Sequence, residues 1–270
     1  MDTEMRNKQI ALERVEHPEV IQDTSSRRGT MRGPGRLGVG LALLAIPVAI
    51  AMLAKRSSGK AALPKEILDT LNFALTLEYL ESGFYNQAVA SGVIPKSDLA
   101  IFQQIQQHEN AHVAFFRDAL GEKAVREPKF DFTAGGKFDP FHDYQTFMTL
   151  SQGFEDTGVR AFKGQAGNLM SNDDILTAAL RIHSVEARHA SEVRRLRRLK
   201  GWVTGDEANG PAALRQAGVY AGDSTWPSEG NTTQLGIDVS QFQGADAGSE
   251  AFDEPITADH ALSIASQFMA

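Results

Sequence analysis

Two stretches of this 270-residue chain carry acidic and imidazole side chains at one repeated spacing. Glu78 is followed 31 positions later by Glu109, which opens Glu109-x-x-His112. Glu155 is followed 31 positions later by Glu186, which opens Glu186-x-x-His189. With 17 Glu and 7 His in the chain, chance placement gives about 0.4 Glu-x-x-His pairs, so the two pairs alone decide little. The weight lies in their context. Each pair falls inside a long helical pattern, and each has an upstream Glu at the same offset in another such pattern.

Periodicity shows where these side chains point. Leu71 and Leu75 precede Glu78 by two turns and one, and Tyr85 follows it by two. Phe102 and Ile105 precede Glu109, with Val113 and Phe116 after it. Met148 precedes Glu155, with Val159 and Phe162 beyond; Ile182 precedes Glu186, and Val193 follows. Offsets of three, four and seven share one helix face, so each Glu interrupts an apolar stripe that faces a core. Four carboxylates converging there are prohibitively costly without compensating charge. Two divalent cations supply it, and carboxylate with imidazole suits Fe, Mn or Zn. One Glu from each of two helices, plus Glu-x-x-His from each of two others, is the ligand set of dinuclear carboxylate four-helix bundles. Glu78 and Glu155 then serve as single carboxylate ligands. Glu109 and Glu186 bridge the metals, and His112 and His189 each complete one shell.

Other residues compete for these roles. Glu81 is the rival on the first helix, and the matched spacing favours Glu78. Glu81 is expected beside the ligands or in solvent, and His108, one step off the Glu109 face, in solvent. His183, one turn before Glu186, is a candidate neighbour of the ligands. Asp139-x-x-His142 imitates the motif but contains Pro140 and follows Gly135-Gly136, which reads as loop. Tyr85 is a candidate for hydrogen bonding or electron transfer at the site; the equivalent position in the second half is Phe162.

At these residues the chain resembles the ferritin-like superfamily, and within it the bacterial ferritin-like domain proteins that include the desiccation-related group. Leu71-Asn72-Phe73-Ala74-Leu75-Thr76-Leu77-Glu78-Tyr79-Leu80-Glu81 is similar to that group's first helix. His108 to His112 and Glu186 to Ala190 are similar to its second and fourth, and Ala251 to Pro255 to its closing segment. The resemblance covers roughly residues 64–270. It implies an all-α ferritin-like four-helix bundle. It also implies one of several activities, since the same ligands serve ferroxidases, peroxide reductases, manganese catalases and oxygenases.

Composition narrows the range. A formal charge of −7 and a pI near 5.5 give no sign of nucleic-acid binding. Cysteine is absent, which removes disulfides, iron–sulfur clusters and a rubredoxin-type centre from this chain. Residues 1–36 are polar and aperiodic, the signature of disorder. Residues 37–54 form an apolar run without charge, preceded by Arg27, Arg28, Arg32 and Arg36. That pattern reads as an export signal or a membrane anchor. Ser26-Arg27-Arg28 resembles a twin-arginine signal, and Ala49-Ile50-Ala51 offers a cleavage site.

The bundle is expected over residues 64–200. Its first helix runs from about Lys65 to Ala90. A short link leads to a second, capped by Ser97 and ending near Leu120. Residues 121–141 are Phe-rich without helical period, long enough to cross the bundle, so the third helix (141–165) runs parallel to the second. Ser171 or Asn172 caps the fourth. Residues 201–270 read as an irregular extension anchored by Trp202, Val219-Tyr220 and Trp226. A terminal helix then presents Leu262, Ile264 and Phe268.

The expected protein is an exported, periplasmic or membrane-anchored dinuclear metal protein, with two Fe ions or alternatively Mn, acting on iron, O2 or peroxide. Two bridged metals can each change by one electron, so a two-electron step needs no free radical. A stress-related envelope protein with a structural metal site is the second reading, and a manganese catalase-like enzyme the third. A closed storage cage is not expected, because the apolar segment and the long tail obstruct cage contacts.

Overall fold

The computed structural model describes residues 63–207 and 210–270; the expectations for residues 1–36 and 37–54 lie outside that range. Four long helices dominate: α1 (Lys65–Ser91), α2 (Leu99–Leu120), α3 (Tyr144–Gln165) and α4 (Asp173–Leu196). Their ends follow local chemistry. Pro64 precedes α1, and Gly92 closes it at φ 78°, a left-handed conformation that glycine adopts without steric cost. Asp143 caps α3 by accepting from the Gln145 and Thr146 backbone N–H groups, so that helix starts three residues later than Phe141. Asn172 caps α4 by accepting from Ile175. The second helix corrects the Ser97 cap: Asp98 holds the N-cap position, but its carboxylate accepts from the Tyr144 hydroxyl at 2.6 Å instead of from its own backbone.

Helix directions follow from which ends share a core. One apolar cluster joins Phe84 and Tyr85 late in α1, Phe102 early in α2, Phe147 and Phe154 early in α3, and Val193 late in α4. A second joins Leu71 early in α1, Phe116 late in α2, Phe162 late in α3, and Ile175 and Ile182 early in α4. So α1 is antiparallel to α2 and α3, and α2 is parallel to α3, as one long crossover requires. The two clusters lie on either side of the Glu and His residues, which form a polar layer across the middle.

The crossover is pinned at both faces. Phe132 is buried against Phe84 and Phe154. Phe130 pairs in antiparallel fashion with Met269, and the Asp131 backbone N–H donates to Phe268. Chain end and crossover thus close the same side of the bundle.

Beyond α4 the extension is irregular but holds short elements. These are α5 (Ala212–Gln216), a hairpin of β1 (Thr233–Gln234) and β2 (Ile237–Asp238), α6 (Ser240–Glu250), broken at Gln243 and Gly244, and α7 (Ala258–Ala265). Two expectations are corrected here. Trp202 and Trp226 are 52% and 37% exposed, and the anchors are Leu214, Val219, Tyr220 and Ile256. Tyrosine wins because its hydroxyl finds buried partners, described below. In the terminal segment Ala261, Ile264, Ala265 and Phe268 are buried, while Leu262 is only half-buried. Among the described residues no helix is long and apolar enough to cross a membrane.

The strap that follows α6 sits directly on α3. The Ile256 backbone N–H donates to Arg160, and a β-carbon added at Gly164 would run into the Ile256 carbonyl oxygen. Gly164→Ala gains helix propensity but forces that strap outward, so a net loss of about 1–3 kcal/mol is expected. Thermal melting with limited proteolysis checks this: bundle helicity should persist while cleavage near residues 252–257 increases. An unchanged or raised melting temperature would show that the strap yields freely.

Candidate metal centre

Each helix delivers its share of the polar layer because the side chain sits on the core stripe. On α2 and α4 the three-residue offset puts Glu109 with His112, and Glu186 with His189, on one face. Glu78, Glu109, Glu155 and Glu186 are 0% exposed; His112 and His189 are nearly so. The six side chains form two groups whose ligand atoms lie within 4.8 Å of one another. The first is Glu78, Glu109, His112 and Glu186; the second is Glu109, Glu155, Glu186 and His189. Glu109 and Glu186 belong to both.

Each imidazole presents Nδ1 to three carboxylates. His112 Nδ1 lies 3.2 Å from Glu78, 3.2 Å from Glu109 and 3.0 Å from Glu186. His189 Nδ1 lies 2.8 Å from Glu109, 3.5 Å from Glu155 and 3.6 Å from Glu186. One nitrogen cannot bond three acceptors. Accordingly both oxygens of Glu78 and of Glu186, one each of Glu109 and Glu155, and His189 Nδ1 have no hydrogen-bond partner, although buried. Close approach without hydrogen-bond geometry, in hard oxygen and imidazole donors, fits divalent cations of the Fe, Mn or Zn type.

Electrostatics makes the same point. Burial lifts Glu78 well above the usual carboxylate range against the pull of His112. Burial, opposed by His189, brings Glu155 to about 8. Burial also pushes Glu109 and Glu186 upward, yet the two histidines outweigh it and hold both below the usual range. Burial alone lowers His112 and His189, but the surrounding carboxylates raise them well above the usual imidazole value. Tyr85, fully buried, donates its hydroxyl to Glu155 Oε1 at 2.6 Å. Its counterpart Phe162 packs on Phe116 instead, so the halves differ there.

Three neighbours go beyond the sequence reading. His108, expected in solvent, is half-buried: its ring stacks on His189, and its Nδ1 lies 2.9 Å from His189 Nε2. Its Nε2 meets the Gln104 side-chain amide at 2.7 Å. Only the packing of α2 on α4 makes that contact, and Val185 holds the matching place in the other half. Glu81 is buried rather than solvated, and burial with four nearby carboxylates raises it well above its ordinary range. Gly158 makes room for it: a β-carbon there would lie 3.0 Å from Glu81 Oε1. The repeat offset that pairs Glu78 with Glu155 also pairs Glu81 with Gly158, so this signal was present in the sequence. His183 stands outside both groups, and the Asp139–His142 pair is exposed loop.

A further polar cluster, unforeseen from sequence, lies on the outer face of α3 and α4. Arg194 holds Asp156 through two bonds of 3.0 and 2.6 Å, and the Tyr220 hydroxyl donates to Asp156 at 2.8 Å. Arg160 donates to the carbonyls of Glu254, Val219 and Ala221. These two guanidinium groups tie the extension to the bundle.

Four helices, one long crossover and a buried layer of carboxylates and imidazoles define a ferritin-like domain. The family model described as "Ferritin-like domain" matches residues 66–199, and the domain belongs to the ferritin-like superfamily. A search of curated proteins found no significant match to the chain.

The metal-free protein should lose stability as pH rises. Glu78, Glu81 and Glu155 bind protons more tightly folded than unfolded, so their cost grows as pH rises above the ordinary carboxylate range, for Glu155 up to about 8. His112 and His189 contribute stability below about pH 6.5, which is lost as pH climbs through their raised folded values. Glu109 and Glu186, held low, act below the ordinary carboxylate range, outside this window. Chelator-treated protein should therefore melt several degrees lower near pH 8 than near pH 5. The opposite slope would show that these carboxyls are not protonated in the folded state.

Proposed function

We propose that this layer holds two divalent metal ions, iron in the cell, and that the protein is an oxidoreductase acting on iron, O2 or peroxide. The observation that carries the reading is the sharing of Glu109 and Glu186 between the two ligand groups. Glu109 and Glu186, common to both groups, would be shared by the two ions, with Glu78 and His112 holding one and Glu155 and His189 the other. Two bridged iron ions supply paired one-electron changes at neighbouring atoms. The small size of O2 and peroxide suits so enclosed a layer. A cavity of about 10 Å³ beside Glu81, lined by Leu77, Phe154 and Ile264 among others, is large enough for one water-sized molecule.

The chain's own residues do the positioning. With His189 Nδ1 directed at the ion, its Nε2 keeps the proton and donates to His108, which fixes the ring and its tautomer. The Gln104 amide nitrogen lies 2.7 Å from His108 Nε2, so this tautomer requires the amide turned to present its oxygen, an orientation assigned from the network. Tyr85 donates to Glu155 and orients its carboxylate, and its phenol is the nearest group able to give up an electron and a proton together. Glu81 holds a proton beside the ligands. We also place the chain in the desiccation-related group and in the cell envelope, on the motifs at 71–81, 108–112 and 186–190 and the basic–apolar pattern of residues 27–54.

Anaerobic titration with Fe(II) should reach about two equivalents per chain. Glu78→Ala should abolish binding of at least one metal, whereas Glu81→Ala should keep the stoichiometry with at most a 10- to 100-fold loss of affinity. Reversed outcomes would move the helix-one ligand by one turn, and one equivalent or none in folded protein would end the dinuclear reading. Stopped-flow spectra of the loaded protein mixed with O2 and with peroxide should show oxidation. An inert iron form beside an active manganese form would select the catalase-like activity, and inertness with both would select a structural site.

Fractionation should place the protein outside the cytoplasm, and changing Arg27-Arg28 to Lys-Lys should block translocation. Normal export of that variant would refute the twin-arginine route alone, and a cytoplasmic product would refute export.

A further inference from the structure

Between the outer face of α3 and α4 and the extension lies a cavity of about 170 Å³, away from the metal layer. Asp156, Arg160, Arg194 and Glu229 are among its lining residues. Trp202 and Phe252, both exposed, line it as well. It exceeds the 150 Å³ of a cavity known to admit benzene, so it accommodates a ligand of several heavy atoms.

The hydrogen-bond inventory shows what such a ligand must bring. Most of the donors are already committed. Arg194 gives its N–H groups to Asp156, Glu207, the Trp202 carbonyl and Tyr220. Arg160 gives its Nε and Nη1 N–H groups to the Glu254, Val219 and Ala221 carbonyls, reaches the Pro227 carbonyl from Nη2 at 3.5 Å, and pairs with Glu229 Oε1 at 2.7 Å. The lining atom left with no partner at all is an acceptor: Glu229 is 1% exposed, and its Oε2 has no hydrogen-bond partner. Burial brings the Glu229 carboxyl to about 8 despite Arg160, the mark of a buried acid short of positive charge. Two further acids, Glu250 and Asp253, line the same space; Glu250 is already paired with Lys200 and accepts from Thr204 at 2.7 Å.

A metal ion is not the fitting occupant. Among the described residues, the only groups of three or more His, Asp or Glu with converging ligand atoms are the two in the bundle core. A site with an orphaned carboxylate oxygen, an acid-rich lining and two aromatic side chains suits an N–H-bearing organic cation. We propose that this cavity is a binding site for a small primary alkylammonium ion, its N–H donating to Glu229 Oε2 and its carbon chain lying along Trp202 and Phe252.

The chain has two tryptophans, Trp202 and Trp226, so Trp226→Phe leaves Trp202 as the only indole reporter. The full metal-loaded protein carrying that change would be titrated with n-butylammonium, with n-butanol as the neutral analogue and tetramethylammonium as the cation without N–H. One saturable site for n-butylammonium, at least about tenfold tighter than either control, is expected from Trp202 fluorescence and calorimetry. Glu229→Gln should weaken calorimetric binding by about tenfold or more. If that variant fails to fold, Phe252→Ala at the exposed rim serves in its place, with a several-fold loss expected. No binding, equal binding of n-butanol, or full affinity in the folded variants would overturn the proposal. Preference for tetramethylammonium would also overturn it, by placing aromatic attraction above the carboxylate hydrogen bond.

Discussion

Buried negative charge is the constraint around which this bundle is organised. Five carboxyl groups, Glu78, Glu81, Glu109, Glu155 and Glu186, are withdrawn from water between two apolar clusters. His112 and His189 are the imidazoles among them, and each faces three carboxylates through one nitrogen. Uncompensated ionised groups in such a place cost far more than a domain's net stability. The layer is therefore either protonated or loaded with cations. The rest of the bundle holds the four helices close enough that the carboxylates and imidazoles converge on positions a cation could occupy.

The halves of the site are related but not equivalent. Tyr85 faces Phe162, His108 faces Val185, and Glu81 faces Gly158 across the repeat. Each difference puts the proton-bearing group on the side of α1 and α2. Tyr85 and His108 both reach across to the ion position formed by Glu155 and His189, so that position has hydrogen-bonded support the other lacks. Glu81 needs Gly158, because any side chain there would press on its carboxylate. Departures from symmetry of this kind give the two ligand groups different surroundings.

The outer polar cluster has a different purpose. Arg160 and Arg194 sit in the bundle helices but spend most of their donors on carbonyls and side chains of residues 202–254. Such bonds are demanding, because a buried guanidinium missing a partner is costly. They select one placement of a segment that has little apolar periodicity to place itself. Tyr220 reinforces them by joining Gln152, Asp156 and Arg194 through one hydroxyl.

The sequence by itself determined the four helices, the long crossover and six of the seven residues of the buried layer, leaving Glu81 open. These are periodic signals: an apolar stripe interrupted by Glu, repeated at equal spacing, carries its own direction into the core. It also carried, unread, the pairing of Glu81 with Gly158. Only the tertiary structure decided that His108 meets His189, since adjacent helices set that contact and a single helix wheel points His108 outward. Only it decided that Trp202 and Trp226 stay exposed while Tyr220 is buried, because a buried hydroxyl needs partners supplied by distant residues. The Arg160 and Arg194 network, and the cavity above it, follow from the same cause. Hydrogen bonds to backbone carbonyls leave no residue pattern in the sequence, whereas the burial of a helix face does.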